Sequence, residues 1–148
     1  MPVTRTKKKT PTAAAQAQPA PTSPEHTLTG DFRLHHNFKS GFVRERRSFI
    51  VYLPPGYDPK AARRYPTLYF HDGQNVFDKA TSVGEEWRVD ETAQALIEAG
   101  VIEPLIMIGI YNTGEHRISE YTPTTLPGKG GGEADAYGRM LVEELKPL

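Results

Sequence analysis

The sequence feature that most constrains the fold is the stretch YPTLYFHDGQN at residues 65–75. Leu68, Tyr69 and Phe70 favour a buried β-strand, whereas the DGQN residues that follow favour a turn. The backbone must therefore leave the sheet next to Asp72. Because open α/β sheets bind their ligands where the strands end, we take the strand-end corner, defined as residues 71–75, as the candidate functional site.

Composition limits the classes of protein to which the chain can belong. Its 148 residues, 37% of them hydrophobic, suffice for one domain with a core. The 18 Lys and Arg residues equal the 18 Asp and Glu residues, so neither a nucleic-acid nor a membrane partner is expected. The chain has no cysteine, which excludes disulfides and thiol catalysis. No apolar run approaches the roughly 18 residues of a membrane span.

The first 27 residues differ in composition from the rest. They are rich in Pro, Ala and Thr and have almost no large apolar side chains, so we predict a disordered arm over residues 1–27 and a folded domain over 28–148. The run Lys7-Lys8-Lys9 precedes three alanines, but the apolar centre of a signal peptide is absent. A cytoplasmic location is therefore expected.

Hydrophobic patterning predicts an α/β fold. Asp31–Phe38 and Arg47–Leu53 read as an antiparallel hairpin, and residues 87–99 have apolar side chains at helical spacing. Residues 104–111 then form an uninterrupted apolar strand, so strand, helix and strand predict a parallel β-α-β crossover. Residues 112–132 are predicted to be a long loop. The segment 133–146 is predicted to be a helix that buries Tyr137, Leu141, Val142 and Leu145.

Several motifs together resemble a known family. The segments RSFIVYLPPGY at 47–57 and YPTLYFHDGQN at 65–75 resemble the opening strands of the Putative esterase family, the α/β-hydrolases related to enterochelin and feruloyl esterases. The similarity extends from about Gly30 to the last residue. Further matching motifs are Trp87 with VDET at 89–92, GIYN at 109–112, RISEYTP at 117–123, GG at 131–132 and EELKP at 143–147.

The resemblance implies a fold and a chemistry. It implies the N-terminal portion of an α/β-hydrolase with an incomplete sheet, acting on small-molecule esters through a Ser–acid–His triad without a cofactor or metal. In the family the nucleophile follows shortly after the helix that resembles residues 133–146. The triad is therefore expected beyond Leu148, and the chain alone is expected to be inactive. The alternative is a non-catalytic interaction module built on a degenerate hydrolase fragment.

The serines and histidines of the chain do not supply a clear triad. None of the serines lies in Gly-x-Ser-x-Gly, and the nearest match, ATSVG around Ser82, lacks the apolar strand that must precede a nucleophile elbow. A complete small enzyme using Ser82, His116 and a carboxylate such as Asp90 is the least favoured hypothesis. No HExxH spacing is present, so no catalytic metal is expected. The serines are Ser23, Ser40, Ser48, Ser82 and Ser119.

By the same resemblance, the strand-end corner contributes to an oxyanion hole. Gly73 and Gln74 would supply the backbone donor, preferably the Gln74 amide, with Gly73 permitting close approach of the ester. The alternative is an ordinary turn in which Asp72 and Asn75 bond only their own backbone. His71 would shape the corner.

Three further residues are candidates for the pocket or its scaffold. Trp87 either forms a wall of the substrate pocket or belongs to the core. Arg117 and Glu120, three residues apart, are expected to pair and to fix the long loop, with Tyr121 packed beside them. Because the strand ending at His71 would lie beside an absent strand, we also expect marginal stability and self-association through an open sheet edge.

Overall fold

The structure is a computed structural model and describes residues 25–148. Most of the predicted arm lies outside the described residues. Of its last residues, His26 lies with its Nδ1 2.7 Å from Asp78 Oδ2, and Thr27 donates from its hydroxyl to Glu86 Oε2 at 2.7 Å. His26 and Thr27 are thus attached to the body of the domain.

One four-stranded mixed sheet organises the domain. Its strands are β1 (Asp31–Phe38), β2 (Arg47–Leu53), β3 (Thr67–His71) and β4 (Ile106–Ile110), in the order β1-β2-β4-β3. β1 and β2 pair antiparallel. β3 and β4 pair parallel, and helix α1 (Val89–Glu98) lies in the connection between them. The predicted hairpin and the parallel crossover are both confirmed.

The two central strands are buried on both faces. On β2, Phe49 contributes to an apolar cluster on one face, while Ile50 and Tyr52 contribute to a second cluster on the other. On β4, Ile110 joins the first cluster and Met107 the second. Because successive side chains of a strand point to opposite faces, an unbroken apolar run is what a doubly covered strand requires.

The segment predicted to be a long loop is more ordered than expected. Within residues 112–132 the chain forms the short helix α2 (Arg117–Tyr121) and a small hairpin of β5 (Thr125–Leu126) and β6 (Gly130–Gly131). Gly131 has a φ of 105°, and a Cβ there would lie 2.2 Å from the Thr124 carbonyl oxygen. The hairpin depends on contacts that local propensity does not reveal.

The last helical segment differs from the prediction in its buried face. It consists of α3 (Ala134–Arg139) followed by a π-helix (Met140–Leu145). Tyr137 and Leu145 are buried as predicted, but Val142 is 63% exposed and Met140 is fully buried instead. In a π-helix each N–H reaches five residues back, so its side chains rotate away from the α-helical spacing on which the prediction relied.

β3 is an edge strand in the part of the chain that the structure describes, bonded to β4 on one side. Leu68 on this strand is 51% exposed and Trp87 nearby is 61% exposed. An apolar sheet edge therefore faces outward. Among the helices of residues 25–148, none has the length and apolar character needed to cross a bilayer.

Candidate active site

The strand-end corner turns sharply because Asp72 adopts a left-handed conformation. Its φ and ψ are 54° and 42°, a region that Asn, Asp and Gly tolerate better than other residues. A single 3-10 turn (Gly73–Asn75) follows, in which the Asn75 N–H donates to the Asp72 carbonyl at 2.9 Å. The backbone thus leaves the sheet immediately after His71.

Gly73 is required by the closeness of the neighbouring strand. A Cβ at Gly73 would lie 2.2 Å from the carbonyl carbon of Gly109 on β4 and 2.5 Å from the amide nitrogen of Ile110. Both contacts are with backbone, which cannot move aside as a flexible side chain can. The glycine predicted to admit a substrate is therefore also the residue that lets the corner pack against β4.

The Asp72 carboxylate is held by groups distant in sequence. Arg117 donates from Nε to Oδ1 at 2.8 Å and from Nη2 to Oδ2 at 2.7 Å, and Asn112 donates from Nδ2 to Oδ1 at 2.7 Å. The hydrogen bond from Arg117 is the main reason that the pKa of Asp72 is lowered. The carboxylate does not cap the following turn, so the alternative in which Asp72 bonds only its own backbone is wrong.

The expected pairing of Arg117 with Glu120 is wrong. Glu120 instead accepts from Arg47 on β2, at 3.1 Å from Nη1 to Oε2 and 2.5 Å from Nη2 to Oε1. The side chains of this pair are 1% and 2% exposed. Thr113 also donates to Glu120 Oε2, at 3.1 Å. Residues three apart on α2 thus point to different partners, and the pair to Arg47 attaches α2 to the sheet.

His71 lies against two tyrosines. Its Nδ1 is 3.0 Å from Tyr137 Oη, and its ring centroid is 4.9 Å from that of Tyr121 and 5.5 Å from that of Tyr137. Burial raises the pKa of both phenols, so both hydroxyls stay protonated near neutral pH. Tyr121 packs beside Arg117, whose guanidinium carbon is 4.9 Å from the ring centroid, as predicted.

The carbonyl and side chain of Gln74 are hydrogen-bonded, whereas within the described part of the chain its backbone N–H is not. Its carbonyl accepts from Thr81 Oγ1 at 2.7 Å, and its side-chain Oε1 accepts from the Asn112 N–H at 3.3 Å. Among the hydrogen bonds of residues 25–148, none uses the Gln74 N–H. A backbone donor without an acceptor, held in a rigid turn, is the element that an oxyanion hole requires.

Asn75 and Trp87 define the side of the corner towards α1. Asn75 Oδ1 accepts from the Val83 N–H at 2.8 Å, so its side chain bonds a separate loop. The Trp87 N–H donates to the Asn75 carbonyl at 2.9 Å, which places the mostly exposed indole at the start of α1, where it lines a shallow apolar groove with Leu68.

The structure does not bring Ser82, His116 and Asp90 together as a triad. Ser82 Oγ contacts Asn75 Oδ1 at 3.5 Å, and His116 Nε2 is 3.7 Å from Glu45 Oε1. Asp90 Oδ2 accepts from the Thr29 N–H. None of the three is hydrogen-bonded to another.

Sequence reasoning missed one serine–histidine contact. His36 Nδ1 lies 3.3 Å from Ser48 Oγ, across the hairpin of β1 and β2. The hairpin register could have revealed it. His36 is exposed, and within residues 25–148 no carboxylate is hydrogen-bonded to its ring, so the acid of a triad is missing there.

Known proteins resemble the chain in family and in fold. A model of the family described as Putative esterase matches residues 40–148. No curated protein matched the chain. Among solved structures, the BES protein from Bacillus cereus is 20% identical with a TM-score of 0.58, covering 86% of this chain and 48% of its own. The IroE-like serine hydrolase from Shewanella oneidensis is 23% identical with a TM-score of 0.60, covering 79% and 37%.

A third similar structure is the siderophore hydrolase EstB from Aspergillus nidulans, 19% identical with a TM-score of 0.50, which covers 84% of this chain and 45% of its own. At these identities the likeness concerns the fold, and this chain spans less than half the length of each of the three. The structural matches thus support part of an α/β-hydrolase fold, and the alternative of a non-catalytic module is not favoured. With the family model matching 40–148, the chain belongs to the Putative esterase family.

Proposed function

We propose that this chain is the N-terminal part of a carboxylic ester hydrolase of the serine α/β-hydrolase type and supplies half of its oxyanion hole. The observation that carries the proposal is the Gln74 N–H, which has no acceptor among residues 25–148 and lies at the carboxyl end of β3. Family membership supplies the reaction class, which is transfer of an acyl group to water through a serine ester.

The chemistry assigns a specific task to the free amide. When a serine oxygen attacks the ester carbonyl carbon, the π electrons of the carbonyl bond move onto the carbonyl oxygen. The negative charge on that oxygen needs hydrogen-bond donors that are already oriented. The Gln74 N–H would be one of these donors. Thr81 holds the Gln74 carbonyl, and the contact of Gly73 with Gly109 fixes the preceding peptide, so little reorganisation accompanies the reaction.

The other candidate residues would support this donor. Asp72 and Arg117 fix the corner, and His71 rests on the tyrosines behind it. Glu120 attaches α2 to the sheet through Arg47. Trp87 would form one wall of the substrate pocket, on the side of the corner that Asn75 defines. None of these roles requires a metal or a cofactor.

We further propose that the serine, acid and histidine follow residue 148 in the intact enzyme. The described serines have no suitable base and acid. Ser82 contacts Asn75, Ser40 and Ser119 accept from backbone N–H groups, and the His36–Ser48 contact lacks a carboxylate. Reading the coding DNA past the Leu148 codon in all three frames should reveal an apolar strand followed by Gly-x-Ser-x-Gly.

The second test uses the 148-residue chain itself. Incubation with a fluorophosphonate probe should label no serine, and hydrolysis of p-nitrophenyl acetate should not exceed that of the Ser82→Ala and Ser48→Ala variants. Robust turnover that either substitution abolishes would overturn the proposal, because the nucleophile would then lie within the chain.

A further inference from the structure

Three carboxylates converge where α1 begins, outside the strand-end corner. Glu86 precedes the helix, and Asp90 and Glu91 lie in its first turn. One carboxylate oxygen from each residue lies within 4.8 Å of those from the other two. Acidic residues in a first helical turn are often explained by the helix dipole, which favours negative charge there. That explanation accounts neither for Glu86, which precedes the helix, nor for the complete burial of Asp90.

Each of the three carboxylates has one oxygen bonded and one free. Glu86 accepts from the Thr27 hydroxyl, Asp90 from the Thr29 N–H, and Glu91 from Arg88 Nε. The remaining oxygens, Glu86 Oε1, Asp90 Oδ1 and Glu91 Oε2, are buried and have no hydrogen-bond partner among the described residues. Buried polar atoms are nearly always satisfied, so three unsatisfied oxygens in one cluster indicate a ligand.

The burial of Asp90 makes the cluster costly without a counter-charge. Asp90 is 0% exposed, and its carboxylate lies within 4.8 Å of those of Glu86 and Glu91, so like charges add to the cost of its burial. Arg88 pairs with Glu91 at 3.2 Å, but its side chain is 71% exposed. Lys79 borders the same surface cavity as Glu86 and Glu91, and within residues 25–148 it forms no ion pair with any of the three acids. Within residues 25–148, no basic side chain forms an ion pair with Asp90.

We propose that Glu86, Asp90 and Glu91 bind a hard divalent cation, with calcium preferred over magnesium. Carboxylate oxygens are the ligands that such ions favour, and calcium tolerates irregular geometry better than magnesium does. A cavity of about 380 Å³ adjoins Glu86 and Glu91 and has room for the waters that complete the coordination shell. The bound ion would connect the segment at Thr27 and Thr29 to the start of α1.

Terbium luminescence and calorimetry test this site directly. After treatment with EDTA and desalting, the chain is titrated with Tb³⁺, which binds calcium sites and is excited through a nearby indole; Trp87 is adjacent to Glu86 in sequence. We expect saturable luminescence with a stoichiometry of one, displaced by Ca²⁺ at lower concentrations than by Mg²⁺. Calorimetric titration with CaCl2 should give the same stoichiometry.

The variants Glu86→Gln and Asp90→Asn preserve side-chain size and remove one charge each, and each should weaken Ca²⁺ binding roughly tenfold or more. Glu103→Gln removes the same charge at an exposed position and should bind like the wild type. If Asp90→Asn fails to fold, Glu86→Gln alone decides. Absence of saturable binding in the wild type, or unchanged affinity in Glu86→Gln, would overturn the proposal.

Discussion

Gly73 and Gly109 meet backbone to backbone, with a separation that leaves no room for a side chain on Gly73. A Cβ added there would lie 2.2 Å from the Gly109 carbonyl carbon, whereas one added at Gly109 would come no closer than 3.0 Å to the Phe77 ring. The contact is therefore asymmetric. It sets the distance between the strand-end corner and β4, and the orientation of the Gln74 peptide depends on that distance.

We expect Gly73→Ala to destabilise the chain by about 3 kcal/mol or more, at or above the upper end for an overpacked core, because only backbone lines the space. Urea denaturation followed by circular dichroism measures this. Gly138→Ala is the matched control, since a Cβ there meets nothing within 4 Å and alanine favours the helix. A Gly73→Ala midpoint equal to that of the wild type would show that the corner adjusts more easily than this packing implies.

The Gln74 amide is tested by removing its hydrogen rather than its side chain. In the enzyme extended through the downstream reading frame, Gln74→Pro should lower kcat by about 100-fold to 1,000-fold, the loss typical of one oxyanion donor. Gln74→Ala removes the same side chain but keeps the N–H, and should lose much less. Steady-state kinetics with p-nitrophenyl acetate makes the comparison, and equal losses in the two variants would exclude the amide as a donor.

The Arg47–Glu120 pair should matter more for stability than any exposed pair. Because both side chains are almost fully buried, Glu120→Gln leaves an uncompensated Arg47 and should cost about 3–5 kcal/mol. The double variant Arg47→Met with Glu120→Leu should recover much of that loss. Glu143→Gln, which breaks the exposed Arg139–Glu143 pair, should cause no measurable change. If Glu120→Gln and Glu143→Gln lowered the free energy of unfolding equally in urea denaturation, the buried pair would contribute no more to stability than the exposed one, contrary to this prediction.

Asp72 should make stability fall in acid. Arg117 lowers the pKa of Asp72, so the folded state holds this carboxylate ionised more firmly than the unfolded state does. The contribution is complete above the unfolded pKa of about 3.9 and is lost as pH falls through the lower folded value. Urea midpoints measured at a series of acidic pH values should therefore drop less steeply for Arg117→Met than for the wild type. Arg44→Met is the control, because Arg44 is exposed and forms no ion pair among the described residues, and it should retain the wild-type slope.

The exposed edge of β3 is expected to promote self-association of the isolated chain. Leu68→Lys places a charge on this edge and should shift sedimentation-velocity profiles towards the monomer. Val142→Lys changes an apolar residue on the π-helix that is at least as exposed as Leu68, and it should leave association unchanged. A wild-type chain that stays monomeric at high concentration would contradict this expectation.

The strands were predictable because their signals are local. Alternation in Arg47–Leu53 and the apolar run before Asp72 depend on neighbours a few residues away, and both strands form where expected. The partner of Arg117 was not predictable, since Asp72 is 45 residues distant and Glu120 is a plausible local competitor. The prediction of which residues the last helix buries was wrong for a different reason, because a π-helical turn changes the side-chain period.

The left-handed backbone at Asp72 restricts which residues evolution can place there. A φ of 54° admits glycine, asparagine and aspartate at low cost, yet only aspartate also offers Arg117 two charged acceptor oxygens. Two independent requirements, one on the backbone and one on charge, thus select the same residue. Among homologous sequences we expect substitution at position 72 to be rare, and to occur together with loss of the arginine at position 117.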